Sequence, residues 1–342
     1  MTTHIGIIGG GNISETHARA ALAIPDVEIA AVFGNNREKI ERLAKTYGGT
    51  PYTDFAAFLA HKPMDMVAIG SPSGLHAEQG IAAARAGLHV LTEKPIDIST
   101  ARADALIAAC DKVDVRLGVF FQDRFKPDLQ RVKKLLDAGI LGKPILGEAR
   151  VKWWRPPEYY AASKWRGTFA LDGGGALINQ GVHTVDLLLW LWGDVAAVQA
   201  KMSASLHKIE AEDTLVALLE FANGAFGTLI ATTSVFPGYP RRVELTGSEG
   251  TLAIEQDLLV RADLHKPDPS LIHNEPGDQD VRAASAAVND IRGHQAALED
   301  FLRTIRTHSR PACDGREARR SVALVEAIYA AARSATRVLV PR

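Results

Sequence analysis

The sequence has few cysteines, no long apolar run and almost no net charge, and each shortage argues against a class of protein. Its two cysteines, Cys110 and Cys313, lie far apart and match no disulfide framework or metal-ligand spacing, so we expect a reducing compartment. The apolar run at 187–192 is much shorter than the roughly 18 residues that cross a bilayer. A net charge of −1 gives no reason to expect nucleic acid or an acidic membrane as a partner.

The N-terminus also lacks the features of a secretory leader. MTTH runs directly into IGIIGGG, with no basic region before an apolar segment and no small-residue cleavage site. We therefore expect a cytoplasmic protein. With 342 residues, of which 46% are hydrophobic and 23% charged, the chain is expected to form two globular domains.

The first third of the chain alternates between short apolar runs and segments with helical periodicity. This alternation is typical of βαβ units and a parallel sheet. We predict a Rossmann NAD(P)-binding domain over residues 1–122. Its strands are predicted at 4–9, 27–33, 65–70, 89–94 and 115–121.

After residue 122 the pattern changes to longer strand-like segments. One helix is predicted at 126–138, and the runs after it, such as TLVALLEFA and AFGTLIATTSV, are joined by short turns that favour antiparallel pairing. Their alternation indicates a large open sheet with helices on one face. The predicted fold class is therefore α/β, with a second α+β domain over 123–342 for substrate binding and oligomerisation. We predict loops at 257–290 and a final helix capped by Asp314.

A glycine-rich turn, GIIGGGNIS, follows the first strand. Gly9 permits a tight turn, and Gly11 lets a pyrophosphate approach the backbone at the start of the next helix. Asn12 and Ile13 open that helix and are assigned to the same site. Ser14 replaces the third glycine of G-x-G-x-x-G, so the motif is incomplete and could be only structural. Its place on the first strand of a βαβ series favours dinucleotide binding.

No carboxylate directly follows the second strand, where NAD-binding folds place an acid for the ribose 2′-hydroxyl. The residues there include Asn35 and Arg37, which we assign to cofactor binding. Small polar groups and a guanidinium could tolerate a 2′-phosphate, so we expect NAD(P), with NADP slightly favoured over NAD. Arg37 could equally be a solvated residue of the first helical turn.

Two further stretches have residues suited to catalysis. Lys94, in TEKPIDIS, follows a buried strand at the sheet edge where open α/β folds bind ligands, although it could be an ordinary strand-end lysine. GGGALINQGVHTVD places Asn179, His183 and Asp186 at i, i+4 and i+7, on one face of a helix. The glycines at 173–175 are expected to let the backbone approach a ligand closely. The opposite face would supply core residues, namely Val182, Val185, Leu188, Leu189 and Trp192.

Together these motifs resemble the Gfo/Idh/MocA oxidoreductase family. The glycine-rich turn, the EKP tripeptide at 93–95, FFQDRF at 120–125, the H-x-x-D helix and the C-terminal REARRSVALVEAIYAAARS are similar to that family from residue 6 to about 334. The resemblance implies a Rossmann domain and a second domain with a large, mostly antiparallel sheet. It also implies NAD(P)-dependent hydride transfer on a sugar, cyclitol or related polyol, no metal, and a homodimer or homotetramer packed through open sheet faces.

The resemblance also implies roles for individual residues. Lys94 would hydrogen-bond the reacting oxygen, and His183 would act as general acid/base. Inositol and many sugar dehydrogenases of the family carry aspartate where this chain has Asn179, an amide that cannot ionise but can orient a substrate hydroxyl. Asp172 or Asp186 could supply the missing negative charge, and Asp186 could equally brace the helix.

Neighbouring residues complete the expected site. His76 could bind cofactor or only cap its helix. The remaining expected cofactor contacts are Ser71, Pro72, Glu93, Lys94, Gln122 and Arg166. The expected substrate contacts are Arg124, Trp165, Asp172, Asn179 and His183.

Two alternative functions stay open. Asparagine at the position of Asn179 also resembles UDP-N-acetylglucosamine(-uronate) 3-dehydrogenases of the family, so a nucleotide-sugar 3-dehydrogenase is one alternative. The other is a non-catalytic dinucleotide-binding regulator with the same fold. Such a regulator would be expected to lose Lys94 or His183, and this chain keeps both.

Overall fold

The computed structural model describes residues 2–162, 164–267, 271 and 290–341, and it divides into two compact units. The first unit is Met1–Gln122 with Ala286–Arg319, and the second is Asp123–Ser285 with Arg320–Arg342. The first break coincides with the expected boundary, but Ala286–Arg319 groups with the first unit and not with the expected second domain. The physical reason is close packing, because the Phe301 ring fills the space at Gly118, where an added Cβ would lie 2.7 Å from it.

The first unit contains a six-stranded sheet. Its strands are β1 (Thr3–Ile8), β2 (Val27–Phe33), β3 (Thr50–Tyr52), β4 (Met66–Ile69), β5 (His89–Thr92) and β6 (Leu117–Val119). Their spatial order is β3-β2-β1-β4-β5-β6, and every neighbouring pair is parallel. The predicted parallel sheet is confirmed. The chain crosses from one side of β1 to the other between β3 and β4, which creates the crevice where open α/β sheets bind ligands.

Helices connect the strands and cover the sheets. In chain order they are α1 (Asn12–Leu22), α2 (Arg37–Tyr47), α3 (Phe55–Leu59), α4 (His76–Arg85), α5 (Thr100–Lys112), α6 (Pro127–Asp137), α7 (Pro157–Ala161), α8 (Val182–Trp192), α9 (Arg292–Thr307) and α10 (Gly315–Ser334). Side-chain caps begin several of them. The predicted cap of α10 is confirmed, since the Glu317 amide donates to Asp314 Oδ1 at 2.9 Å.

The second unit contains an eight-stranded sheet. Its strands are β7 (Pro144–Lys152), β8 (Val195–Ser203), β9 (Thr214–Phe221), β10 (Phe226–Thr232), β11 (Arg242–Gly247), β12 (Gly250–Glu255), β13 (Leu258–Leu264) and β14 (Val338–Leu339). Their order is β13-β12-β11-β7-β10-β9-β8-β14. The β7–β10 pair is parallel and the other pairs are antiparallel, so the prediction of a mostly antiparallel sheet is confirmed.

Strand β13 corrects one prediction. It lies inside 257–290, where loops were expected. Half-buried and exposed side chains alternate along most of it, as in a strand with one covered face, and it pairs antiparallel with β12 at the edge of the sheet. Most of that stretch, 268–270 and 272–289, lies outside the described residues. The described helices include none that is long and apolar enough to cross a membrane.

Helix α8 packs on one face of the eight-stranded sheet. The predicted core face is confirmed as buried, and Val185, Leu188, Leu189 and Trp192 belong to one apolar cluster with the sheet and α10. Trp192 lies over Gly147 of β7, where an added Cβ would come within 2.6 Å of the indole. Thr184 and Asp186 are buried as well, so α8 is a core helix on nearly all sides.

Candidate active site

The glycine-rich turn after β1 has the geometry that a dinucleotide site requires. Gly9 has φ +126°, and a Cβ there would lie 2.5 Å from Ser14 Oγ and 2.8 Å from the Gly70 carbonyl oxygen. Gly11 is the N-cap of α1 without a side-chain cap, and a Cβ on it would meet no atom within 4 Å. The first amides of α1 therefore begin beside open space, which fits a pyrophosphate of NAD(P).

Gly70 explains how serine is accommodated at the third position of the motif. That position normally needs glycine for close helix–strand packing. Here Ser14 is fully buried, and a Cβ on Gly70 would lie 3.2 Å from Ser14 Oγ and 2.9 Å from Ile13. The glycine that permits close packing here is therefore Gly70, directly after β4, and not the residue at the third position of the motif in α1.

The end of β2 leaves a guanidinium exposed. Asn36 caps α2 by accepting a hydrogen bond from the Lys39 amide at 3.0 Å. The Arg37 side chain is 73% exposed and lies 3.4 Å from Glu41 one turn on. An exposed pair of this kind is worth only about 0.3–0.5 kcal/mol, so it hardly restrains Arg37.

His76 lies inside the fold. Its Nδ1 lies 2.8 Å from the Pro95 carbonyl oxygen and its Nε2 lies 3.0 Å from the Ser71 carbonyl oxygen. Both ring nitrogens therefore face backbone oxygens, and the ring links the segment after β4 to the one after β5. Ser71 Oγ donates to Gln79 at 2.6 Å, and Pro72 starts the short turn that leads into α4.

The carboxylate of Glu93 holds the segment that contains Lys94. Glu93 Oε1 accepts hydrogen bonds from His17 Nε2 at 3.0 Å and His294 Nε2 at 3.3 Å, and Oε2 accepts from the Lys94 amide at 3.2 Å. Burial would raise the pKa of Glu93, but the hydrogen bonds from the two histidines outweigh it and hold the pKa well below its ordinary value. Burial lowers the pKa of His17.

This buried cluster was not visible in the sequence. His17, Glu93 and His294 are of metal-ligating types, and their ligand atoms lie within 4.8 Å of one another. Their separations along the sequence match no metal motif. His17 also stacks on Phe120 at 4.5 Å between ring centroids. Glu93, expected to contact cofactor, has its carboxylate turned into this cluster. Its contacts fix the backbone of the residue before Lys94.

Asp97 fastens the same segment on its other side. Its Oδ2 accepts from the Ala77 amide at 2.7 Å, and its Oδ1 accepts from Arg102 Nε at 2.6 Å. Lys94 is therefore a half-buried lysine on a segment anchored by buried polar groups at both ends. A lysine on an anchored backbone segment is suited to stabilising negative charge at a fixed place.

The second unit contains the histidine motif, and its helix is irregular. Ala176–Gly181 forms a π-helical segment that continues into α8. Asn179 lies in the π-helical segment, whereas His183 and Asp186 lie three residues apart in the regular helix α8. Because a π-helix has a wider turn than an α-helix, the spacing of four residues between Asn179 and His183 does not by itself place them on one face, and that shared face stays a prediction. Asp186 is buried and accepts hydrogen bonds from Arg124 at 2.8 and 2.7 Å.

The glycines before this segment are required by packing within the protein. A Cβ on Gly174 would lie 2.1 Å from the Tyr329 hydroxyl oxygen, and one on Gly175 would lie 1.7 Å from the Glu212 carbonyl oxygen. The buried Glu212 carboxylate accepts hydrogen bonds from the Gly175 amide at 3.1 Å, the Leu177 amide at 2.8 Å and Tyr329 at 3.0 Å. We expected these glycines to admit a ligand. The structure gives two of them a different reason, the close approach of Glu212 and Tyr329.

We predict that Gly175→Ala destabilises the fold by about 3 kcal/mol or more, because the Cβ would overlap a backbone oxygen that cannot rotate away. Gly181→Ala is the matched control, since its Cβ would meet its nearest atoms at 3.4 Å. The free energy of unfolding in urea measures both. Equal stability of the two variants would contradict the packing explanation.

Asn179 belongs to a polar chain near the start of α8. Its Nδ2 donates to Asp172 Oδ1, and Asp172 Oδ2 accepts from the Gly167 amide at 2.9 Å. Gln180 Nε2 donates to Asn179 Oδ1 at 2.6 Å and to the Tyr159 hydroxyl at 2.8 Å. Of the two acids considered as substitutes for the missing carboxylate, Asp172 therefore contacts Asn179, whereas Asp186 is paired with Arg124.

The other expected contacts differ in their surroundings. Arg124, expected to bind substrate, is fully buried in its ion pair with Asp186, so its guanidinium braces α8. The Arg166 guanidinium lies over the Tyr159 ring at 4.5 Å and over the Trp165 ring at 5.3 Å. Gln122 packs against Gly293 within the first unit.

The structure adds one residue that the sequence reasoning missed. Asp123 Oδ2 lies 3.4 Å from His183 Nδ1, an electrostatic contact longer than a well-formed hydrogen bond. It also accepts a hydrogen bond from Arg241 at 2.7 Å. Asp123 lies inside FFQDRF, the motif in which the sequence predicts Gln122 and Arg124 as site residues.

Two family models match the chain. Residues 3–121 match the model described as an oxidoreductase family with an NAD-binding Rossmann fold. Residues 129–253 match the GFO/IDH/MocA C-terminal domain. The two matches lie on opposite sides of the break after residue 122.

Curated relatives and a solved structure give the same result. The oxidoreductase YrbE of Bacillus subtilis is 30% identical over 75% of this chain and 75% of its own length. The D-apiose dehydrogenase of Paraburkholderia graminis is 28% identical over 96% of this chain and 87% of its own length. The WlbA dehydrogenase of Bordetella pertussis, solved with NADH and UDP-GlcNAcA, is 33% identical over 100% of this chain and 98% of its own, with a TM-score of 0.90.

Proposed function

Because the chain belongs to the Gfo/Idh/MocA family of NAD-binding oxidoreductases, we propose that it transfers hydride between NAD(P) and a carbinol or carbonyl carbon of a sugar, cyclitol or related polyol. The observation that carries this proposal is that both reactive side chains are kept in anchored settings. Lys94 follows the buried Glu93 cluster, and His183 lies beside the buried carboxylate of Asp123. A regulator without catalysis would have no need for either arrangement.

The chain's own residues supply proton transfer and charge stabilisation. NAD(P), when bound, accepts or donates the hydride. In the oxidative direction, His183 takes the proton of the reacting hydroxyl at an imidazole nitrogen. The Lys94 ammonium donates a hydrogen bond to the same oxygen and stabilises its developing negative charge.

Asn179 limits which residue can transfer the proton in this mechanism. An amide neither ionises nor accepts a relayed proton, so the acid/base step rests on His183. Asn179 already donates to Asp172 and accepts from Gln180. We propose that it orients a substrate hydroxyl and takes no proton.

A nucleotide-linked sugar is the second candidate substrate. The WlbA dehydrogenase of Bordetella pertussis, whose structure contains UDP-GlcNAcA, is similar to this chain over its whole length. Asn179 favours the same substrate class, as the sequence already indicated. With such a substrate, the proposed activity is oxidation of the hydroxyl group at carbon 3 of the nucleotide-linked sugar.

A cofactor-dependent screen tests the proposal. The purified protein is incubated with NAD or NADP and a panel of free sugars, cyclitols and UDP-sugars, and cofactor reduction is followed by nicotinamide absorbance. We expect reduction with at least one compound, and reduction at least a hundredfold slower with the Lys94→Ala protein. A panel without any activity in either direction, for a protein that binds NAD(P), would favour the regulator.

We further propose that the cofactor site accepts both NAD and NADP and slightly favours NADP. The turn after β2 has no carboxylate before Glu38, and Arg37 is exposed at the start of α2. A guanidinium there can bind a 2′-phosphate.

We expect Arg37→Ala to lower kcat/KM for NADP about tenfold, which corresponds to about 1.4 kcal/mol, and to change kcat/KM for NAD little. Arg42→Ala, on the same helix, is the matched control. The result that contradicts the proposal is an equal change for both cofactors.

The oligomer is proposed to pack through the open face of the eight-stranded sheet. Leu218 and Phe226, on neighbouring strands of that face, are 57% and 65% exposed. Charged side chains lie further along the sheet on β11 and β12, including the Arg242–Glu255 pair at 2.9 Å. An apolar patch with a complementary charged area suits a symmetric contact between copies, so we propose a homodimer or homotetramer.

Leu218→Glu is expected to reduce the oligomer to smaller species, because two-fold packing brings like charges together on an apolar surface. Sedimentation velocity measures the change. Leu22→Glu, at an exposed leucine of α1, is the control and should leave the mass unchanged. A wild-type monomer, or an unchanged Leu218→Glu assembly, would refute this interface.

A further inference from the structure

We propose that Asp123 is a positioning residue that acts as the carboxylate partner of His183 and replaces the electrostatic role lost with an amide at 179. This inference rests on the acid/base role of His183 in the proposed function. It gives Asp123, in the turn after β6, a role in proton transfer. Neither the FFQDRF motif nor the spacing of Asn179, His183 and Asp186 indicated that role.

The chain places Asp123 opposite His183 by a two-point attachment. Asp123 and Arg124 are consecutive residues of the short turn Gln122–Phe125. Arg124 forms a two-bond ion pair with Asp186, which lies three residues after His183 on α8. That pair fixes the turn against the helix, and Asp123 Oδ2 then lies 3.4 Å from His183 Nδ1.

The charges around Asp123 keep its carboxylate ionised. Arg241 is shared between Asp123 and Asp257, and Lys126 lies 3.5 Å from Asp123 and also contacts Asp257. Burial raises the pKa of Asp123, but the positive charges of Arg241, His183 and Lys126 outweigh burial and hold the pKa far below its ordinary value. The carboxylates of Asp123 and Asp257 thus face the two cations Arg241 and Lys126. His183 lies at the edge of this cluster, beside Asp123.

The two acids suggested by sequence have other partners. Asp172 accepts hydrogen bonds from Asn179 and the Gly167 amide, and Asp186 is held by Arg124. Asp123, in contrast, has a carboxylate oxygen at ion-pair distance from the His183 ring. Since it faces Nδ1, it favours a proton on that nitrogen and leaves Nε2 for proton exchange with the substrate.

This arrangement determines the sign of a pH effect. A carboxylate at this distance stabilises the imidazolium form, and its removal makes His183 lose its proton at lower pH. His183 acts as a base in the oxidative direction, so activity rises as His183 loses its proton. In Asp123→Asn the acid limb of the kcat/KM profile should therefore move to lower pH, by about one pH unit or more.

Asp257→Asn is the matched control. Asp257 is buried like Asp123 and binds the same Arg241 and Lys126, so both variants remove one carboxylate from the same ion cluster. Asp123 is also the member of the cluster that lies 3.4 Å from His183 Nδ1. A general loss of stability or of cluster charge should affect both variants, whereas loss of the His183 partner should affect Asp123→Asn alone.

The experiment has two readouts on the full chain. The first is the pH profile of kcat/KM for wild type, Asp123→Asn and Asp257→Asn. The second is an NMR titration of ¹³C-labelled histidine side chains, with the His183 signal assigned by its loss in His183→Gln. We expect both readouts to move to lower pH by about one unit or more in Asp123→Asn and to stay near wild type in Asp257→Asn.

The outcomes separate the two proposals. The His183 titration could shift to lower pH in Asp123→Asn while the wild-type protein shows no dehydrogenase activity. That result would support the pairing and overturn the proposed function. Activity with an unchanged His183 titration in Asp123→Asn would overturn the pairing and keep the function. Equal shifts in Asp123→Asn and Asp257→Asn would also overturn it, because they would show a general effect of cluster charge.

Discussion

Replacing Lys94 with alanine is expected to lower kcat about a hundredfold to a thousandfold while NAD(P) still binds. Lys94 lies on a segment whose backbone is held by the buried carboxylates of Glu93 and Asp97, so the segment needs no rearrangement during the reaction. Alanine removes the hydrogen bond that we propose Lys94 donates to the reacting oxygen, and it leaves those anchors in place. The loss should therefore fall on kcat, since the interaction is strongest when the oxygen becomes negative.

Cofactor binding is measured separately by nicotinamide fluorescence. Lys62→Ala is the matched control, because Lys62 is an exposed lysine of the same unit that also precedes a proline. It should leave both kcat and cofactor affinity unchanged. Unchanged turnover in Lys94→Ala would contradict the proposal that Lys94 stabilises the reacting oxygen.

Replacing His183 with alanine is expected to lower kcat about a hundredfold to ten-thousandfold, the range typical of lost general acid/base catalysis. Removing Lys94 as well should cost much less than the product of the two single losses. Residues that act on one oxygen in one step are strongly non-additive, since either loss already disables that step.

Steady-state kcat for the wild type, both single variants and the double variant provides this test. His265→Ala, at an exposed histidine of the second unit, is the control for His183. Losses that multiply fully in the double variant would mean that Lys94 and His183 act in separate steps, contrary to the proposed mechanism.

The sequence predicted the features that depend on local patterns. Alternation of apolar runs and helices was sufficient for the parallel sheet, and Asp314 was correctly predicted to cap α10. The glycine turn after β1 also has the expected shape, with positive φ at Gly9 and open space at Gly11. Each of these depends on residues within one or two elements, so their spacing in sequence is sufficient evidence.

The features that escaped prediction depend on residues far apart in sequence. The need for glycine at 175 comes from Glu212, and the setting of Glu93 comes from His17 and His294. The three-residue strand β3 is too short to show a period, and β13 lies in a stretch with many polar residues. No sequence period marks a π-helical segment, which is why the irregular turn around Asn179 was not predicted.

The missed partner of His183 has the same cause. The sequence placed the search for a carboxylate near Asn179, because i, i+4 and i+7 spacing is the rule for a regular helix. The contact instead comes from Asp123, which reaches α8 through the ion pair of its neighbour Arg124. A motif such as FFQDRF could have raised Asp123 as a candidate, but only the fold shows which of its polar residues faces the histidine.

The most direct test of the central claim is deuterium transfer. A sugar or polyol that gives activity in the screen is labelled with deuterium at the carbinol carbon, and the reduced cofactor is analysed by mass spectrometry. Direct hydride transfer predicts that each molecule of reduced NAD(P) gains one deuterium from the substrate. Reduced cofactor without deuterium from the reacting carbon would contradict the account.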